Sequence, residues 1–138
     1  MKHTVKAQWL EKMAFESELF GHKIKMDVGE DMGGDDLGTR PKPLMLLALA
    51  GCTGMDIVNI LKKMRVEVED FNVSVEGELS EGTPQQYIKM NVIYEFKGKD
   101  LPMAKLEKAV KLSEEQYCGV SAVYKQVMPV TSEIRIVE

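Results

Sequence analysis

Two residue positions in this sequence carry side chains suited to nucleophilic or redox chemistry, Cys52 and Cys118, and they are its only cysteines. A thiol reacts when a positive or accessible dry setting favours its thiolate, and otherwise serves as a small apolar filler. Cys52 lies in "ALAGCTGMD". At 100° per residue it shares a helical stripe with Met45 and Ala48 on one side and Asp56, Asn59 and Lys63 on the other. The thiol therefore stands where the segment changes from wholly apolar to amphipathic, a position open to either role. Cys118, in "SEEQYCGVS", falls at the start of a short predicted helix, where unpaired N–H groups and the positive dipole end favour a thiolate.

Other chemistries find less support. The histidines, His3 and His22, fall on predicted strand or turn positions with no motif linking them to a cysteine, which weighs against a cysteine hydrolase. Two distant cysteines and two histidines do not form a zinc-ligand pattern. Asp31, Asp35 and Asp36 do not have the spacing of a calcium loop, so a solvated acidic loop is expected there. No metal or cofactor is expected. A formal charge of −4 with scattered lysines argues against nucleic acid.

The elements that must position the cysteines can be read in order. With 138 residues and 44% hydrophobic content the chain suits one core, and a single domain over residues 1–138 is expected. Alternation of Val5, Ala7 and Trp9, then Met13, Phe15 and Leu19, then Ile24, Met26 and Val28 predicts three half-buried strands, with turns near Lys12 and Gly21-His22. A glycine-rich acidic loop follows. Leu44 to Met64 reads as a long helix whose first half is apolar all round. Asp56, Asn59 and Lys62 interrupt it, so a buried helix is expected in place of a membrane span. One small sheet cannot surround such a helix, and Ala48, Ala50, Gly51 and Gly54 would admit another backbone closely; a homodimer is expected. Phe71, Val73 and Val75 pair with the run Ile88, Met90, Val92, Tyr94 and Phe96 as two strands. Asp100 is a candidate cap for a helix showing Met103, Leu106 and Val110 on one face. A short helix carrying Cys118, a break at Pro129 and a last strand through Val130, Ile134 and Ile136 complete an α+β chain. "MKHTVKAQWLEKM" has no signal-peptide core, and a cytoplasmic location is expected.

"PLMLLALAGCTGMDIVNILKKM", followed by "LEKAVKLSEEQYCGVSAVYKQVMPVTSEI", resembles the OsmC/Ohr family of thiol-dependent peroxidases. The similarity covers most of the chain and is greatest to the OsmC-like branch whose helix reads "AGCTGMD". It implies an α+β, OsmC-like fold: an intertwined homodimer with long central helices flanked by sheets and active sites at the subunit interface. It also implies oxidative or osmotic stress defence, with Cys52 as the peroxidatic cysteine and Cys118 as the resolving one. Cys52 would become a sulfenic acid on attacking a hydroperoxide, Cys118 would condense with it to a disulfide, and a dithiol of lipoyl or other type would reduce that bond. The apolar surroundings of Cys52 favour an organic hydroperoxide.

The family's peroxidases also use a Glu at the start of the cysteine helix and an Arg in the N-terminal region. Here Lys42 and Pro43 occupy the place of that Glu, and no arginine precedes Arg40. Arg40 is the candidate cation, with Lys42 and Lys12 as substitutes. The alternative reading is a non-catalytic dimer that binds an apolar ligand or senses oxidation.

Overall fold

The computed structural model describes residues 1–137, and the chain divides into two compact units, Met1–Met45 and the remainder from Leu46. In the first, β1 (Ala7–Trp9), β2 (Phe15–Leu19) and β3 (His22–Met26) form an antiparallel sheet in that order. Between β2 and β3, Phe20 and Gly21 both take positive φ, 50° and 83°, the two-residue connection whose twist matches the flanking strands. All three predicted strands exist, but their predicted burial is only partly met. Ala14 and Ser17 are buried, whereas Trp9, Met13 and Phe15 are exposed. Alternation marks two faces of a sheet; it does not supply a layer to cover one of them.

The acidic loop is wound around one carboxylate. Asp27 is buried and accepts the backbone N–H groups of Val28 at 2.7 Å, Asp35 at 3.1 Å and Leu37 at 3.1 Å. Those bonds, led by that of Leu37, hold its carboxyl below the usual carboxylate range. A 3₁₀ turn spans Glu30–Met32. Thr39 exchanges backbone bonds with the end of β3, and a Cβ on Gly38 would collide with the Lys25 carbonyl, so the chain passes there only as glycine. Asp35 and Asp36, weighed above as calcium ligands, instead bind Lys12 and Arg40.

The second unit holds most of α1 (Leu44–Lys63), then β4 (Asp70–Leu79), β5 (Tyr87–Lys97), α2 (Met103–Leu112), a π-helical turn (Ser113–Tyr117), α3 (Gly119–Lys125) and β6 (Val130–Val137). β5 is central: β4 pairs with it antiparallel and β6 parallel. Met90, Val92, Tyr94 and Phe96 of β5 are fully buried. They form one core with Leu49, Ile57 and Leu61 of α1 and Leu106, Ala109 and Val110 of α2. Burying each large apolar side chain contributes roughly 1.5–3 kcal/mol, and the period-two and period-3.6 patterns meet in this cluster. Gly77 of β4 makes room for α1, because a Cβ there would press on Leu46 and the ring of Tyr87.

Two local expectations are corrected. Asp100 has φ of 50° and does not cap α2; Pro102 stands at that position, with its fixed φ of −78°. Met103 is exposed, so the buried face of α2 runs through Leu106, Ala109 and Val110. By length and composition alone α1 could cross a bilayer, but its Leu49–Ile57–Leu61 stripe belongs to the core.

Candidate functional site

α1 presents Cys52 half-buried at the edge of the core, and Asp56 four residues later on the same face. Thr53, fully buried between them, donates its hydroxyl to the Leu49 carbonyl at 2.9 Å, a bond that keeps a β-branched polar residue satisfied inside a helix.

The facing wall is built where α2 ends. Its helix widens into the π turn, closed by the Cys118 N–H on the Ser113 carbonyl at 2.7 Å. The turn ends at Cys118, whose backbone is extended. Ser113, its first residue, faces α1, where its hydroxyl lies 2.9 Å from Asp56 Oδ2 and 3.5 Å from the Thr53 carbonyl. Glu114 turns toward the sheet and accepts the Tyr94 hydroxyl at 2.8 Å and that of Ser132 at 3.3 Å.

Cys118 then caps α3, its sulfur accepting the Ser121 N–H at 3.3 Å. This confirms the predicted helix-start position. The electrostatic consequence drawn from that position is corrected. Cys118 is only 3% exposed, and burial, then its bond with the Cys52 sulfur, push its thiol up to about 11; the Ser121 N–H offsets this only in part. The helix-end contribution is smaller than the cost of placing a thiolate in the core. Burial likewise raises the phenols of Tyr94 and Tyr124, the former further pressed by Glu114 and the latter by Cys118.

Both cysteines are free thiols. The Cys52 and Cys118 sulfurs and a carboxylate oxygen of Asp56 all lie within 4.8 Å of one another, and among the described residues they are the group of donor atoms close enough to share a soft cation.

The remaining candidates lie in the first unit. Arg40 pairs with Asp36 and reaches the Gly38 carbonyl at 3.3 Å; Lys12 pairs with Asp35 at 2.8 Å. The His3 ring meets Phe20 edge-on, and His22 is the first residue of β3. Sequence reading placed Asp56 on the stripe of Cys52 without giving it a part, and it missed Ser113, Glu114 and Tyr94. The "SEE" before Cys118 carries no periodicity that foretells a π turn.

A family model described as OsmC-like protein matches residues 33–133. Protein YhfA of Escherichia coli K12 is 32% identical over 96% of both chains. A hypothetical protein of Aquifex aeolicus shares the fold at a TM-score of 0.84, with 30% identity over the whole of both chains. The organic hydroperoxide resistance protein OhrB of Bacillus subtilis aligns at a TM-score of 0.63 and 20% identity, over 96% of this chain and 98% of that one, a likeness of fold alone.

Proposed function

Given that this chain belongs to the OsmC-like protein family, we propose that it is a thiol-dependent peroxidase reducing organic hydroperoxides with Cys52 and Cys118. The observation that carries this reading is the pair of free sulfurs within 4.8 Å, one half-buried on α1 and the other sealed behind it at the head of α3. The more exposed sulfur is the one a peroxide meets first.

The Cys52 thiolate attacks one oxygen of the O–O bond. That bond breaks, the alcohol leaves with a proton, and Cys52 carries a sulfenic acid. Cys118 then attacks the Cys52 sulfur, and water leaves as the disulfide forms. A dithiol of lipoyl type restores both thiols by exchange, leaving its own disulfide. In this reading Arg40 is the candidate cation that favours the Cys52 thiolate, in place of the N-terminal arginine of the family's peroxidases; its guanidinium pairs with Asp36 in the loop.

The protein acts as a homodimer in this reading. Leu47, Met55 and Val58 of α1 are 65%, 77% and 56% exposed, and a Cβ on Gly51 would meet nothing within 4 Å, so an apolar face with room for a second backbone stands open. A groove of about 530 Å³ between α1 and β4, lined by Gly54, Met55, Val58, Phe71 and Val73, continues that face. A reducing cytoplasm suits a dithiol that must be regenerated.

The test is consumption of cumene hydroperoxide with dihydrolipoamide as reductant, followed by mass spectrometry of the protein. The native chain is expected to turn over and to show one intramolecular Cys52–Cys118 disulfide. Turnover no faster than that of Cys52→Ser would refute the reading.

A further inference from the structure

We propose that Asp56 is the proton relay of this dithiol: its carboxylate takes the proton from the Cys118 thiol as that sulfur attacks a modified Cys52, and returns it to the departing group. The proposal rests on the reading of Cys52 and Cys118 as a reactive pair, and it names the group that handles the proton in a chain with Lys42 and Pro43 where the family's Glu would stand.

Three observations place the relay. Asp56 follows Cys52 by one helical turn, and its carboxylate oxygen lies within 4.8 Å of both sulfurs, in reach directly after a small rotation or through one water. Ser113 donates to Oδ2 at 2.9 Å while also touching the Thr53 carbonyl at 3.5 Å, so the π turn fixes the carboxylate against the helix. Cys118 is buried and holds its proton, so its sulfur becomes a competent nucleophile only when a neighbour removes that proton.

The other titratable groups around Cys118 do not serve. Tyr94 of β5 and Tyr124 of α3 are phenols held protonated by burial, and Glu114 of the π turn already accepts the Tyr94 and Ser132 hydroxyls. The Asp56 carboxylate stands beside both sulfurs. It assists a proton that must leave one sulfur while the other loses its oxygen.

The step balances without a further oxidant. The Cys118 S–H proton passes to Asp56 as the sulfur lone pair bonds to the Cys52 sulfur. The S–O bond of the sulfenic acid breaks, and the oxygen leaves as water with the proton from Asp56. Two sulfurs end oxidised as a disulfide, and the electrons they lost are those the hydroperoxide took.

The experiment replaces the peroxide with an aromatic disulfide reagent, dithiobis-nitrobenzoate, in the presence of a chelator. One thiol exchange caps Cys52 and releases a first nitrothiolate; attack by Cys118 closes the protein disulfide and releases a second. In the native protein the second release is expected to be first-order. In Asp56→Asn, which keeps the acceptor for Ser113, it should slow about 100-fold. Asp56→Glu should recover most of that loss, and formate should speed Asp56→Ala far more than the native protein. Native rates in Asp56→Asn would overturn the proposal. So would a slow Asp56→Asn that neither Glu nor formate rescues, which would make the residue structural only, or the absence of a second release in the native protein. A protein that closes its disulfide from the reagent but not from cumene hydroperoxide would lose the peroxidase reading and keep the relay.

Discussion

Ser113 donates its hydroxyl to Asp56 across 2.9 Å, and this one bond ties the π turn that precedes Cys118 to the helix that carries Cys52. The two residues are 57 positions apart in sequence, yet each lies within five of a cysteine. The bond thus couples the geometry of the two thiols.

Removing the hydroxyl tests that coupling. Ser113 is fully buried and Asp56 half-buried, so Ser113→Ala should cost about 1–3 kcal/mol in urea unfolding, the range for removing one partner of a buried hydrogen bond. An unchanged urea midpoint would show that Asp56 finds another partner. In the native protein the Cys118 sulfur should be alkylated more slowly than that of Cys52, and Ser113→Ala should narrow the gap.

Alkaline pH should weaken the fold through Cys118. Its thiol stands at about 11 against an ordinary value near 9, so the folded chain holds this proton more tightly than the unfolded one. The resulting stability is fully present below about pH 9 and disappears as pH rises through 11, to a total of about 2–3 kcal/mol. Tyr94 and Tyr124 are raised as well and act in the same direction at high pH. Comparing native protein with Cys118→Ala isolates the thiol: urea unfolding from pH 8 to 11 should fall more steeply for the native chain. Parallel curves would mean that the Cys118 proton does not distinguish folded from unfolded.

Much of this architecture is legible along the chain because its elements bury one face each. Met90, Val92, Tyr94 and Phe96 alternate in sequence and are buried in fact; the long helix was predicted from Leu44 to Met64 and runs Leu44–Lys63. The site is only half legible. Residue type points to Cys52 and Cys118, but the groups acting on Cys118 come from elements whose approach is fixed by packing. Asp56 is a local neighbour of Cys52, while Ser113 arrives through a π turn that no pattern in "LSEEQYC" announces. Cys118 sits at the helix start its sequence predicts but holds its proton, because the sequence reveals the cap and not the burial. The loop acids Asp31, Asp35 and Asp36 are exposed as expected of a solvated segment, but Asp27, the carboxylate that organises the loop, lies outside that cluster and carries no signal in the sequence.

Core packing around the site should respond to volume. Leu49 is fully buried one turn before Thr53 and accepts its hydroxyl through the backbone, so Leu49→Ala removes side-chain volume without removing that bond. A loss of about 2–5 kcal/mol in urea unfolding is expected, with the disulfide still able to form at low denaturant. A loss below about 1 kcal/mol would mean that other side chains of the core cluster collapse into the space.

The open face of α1 gives the last prediction. Met55 and Val58 are exposed and line the groove against β4, whereas Ile57 between them is fully buried in the core. A charge at Met55 or Val58 therefore acts on assembly, and a charge at Ile57 would act on folding. In the dimer reading, native protein elutes at twice the chain mass at micromolar concentration. Val58→Asp and Met55→Lys should each shift it toward one chain mass by light scattering while far-ultraviolet circular dichroism is retained, because an unpaired charge in a closed apolar interface costs several kcal/mol. Native protein that scatters as a single chain would refute the dimer. Variants that stay dimeric would place the interface on another surface, and loss of circular dichroism in Val58→Asp would show that this face supports the fold of the single chain.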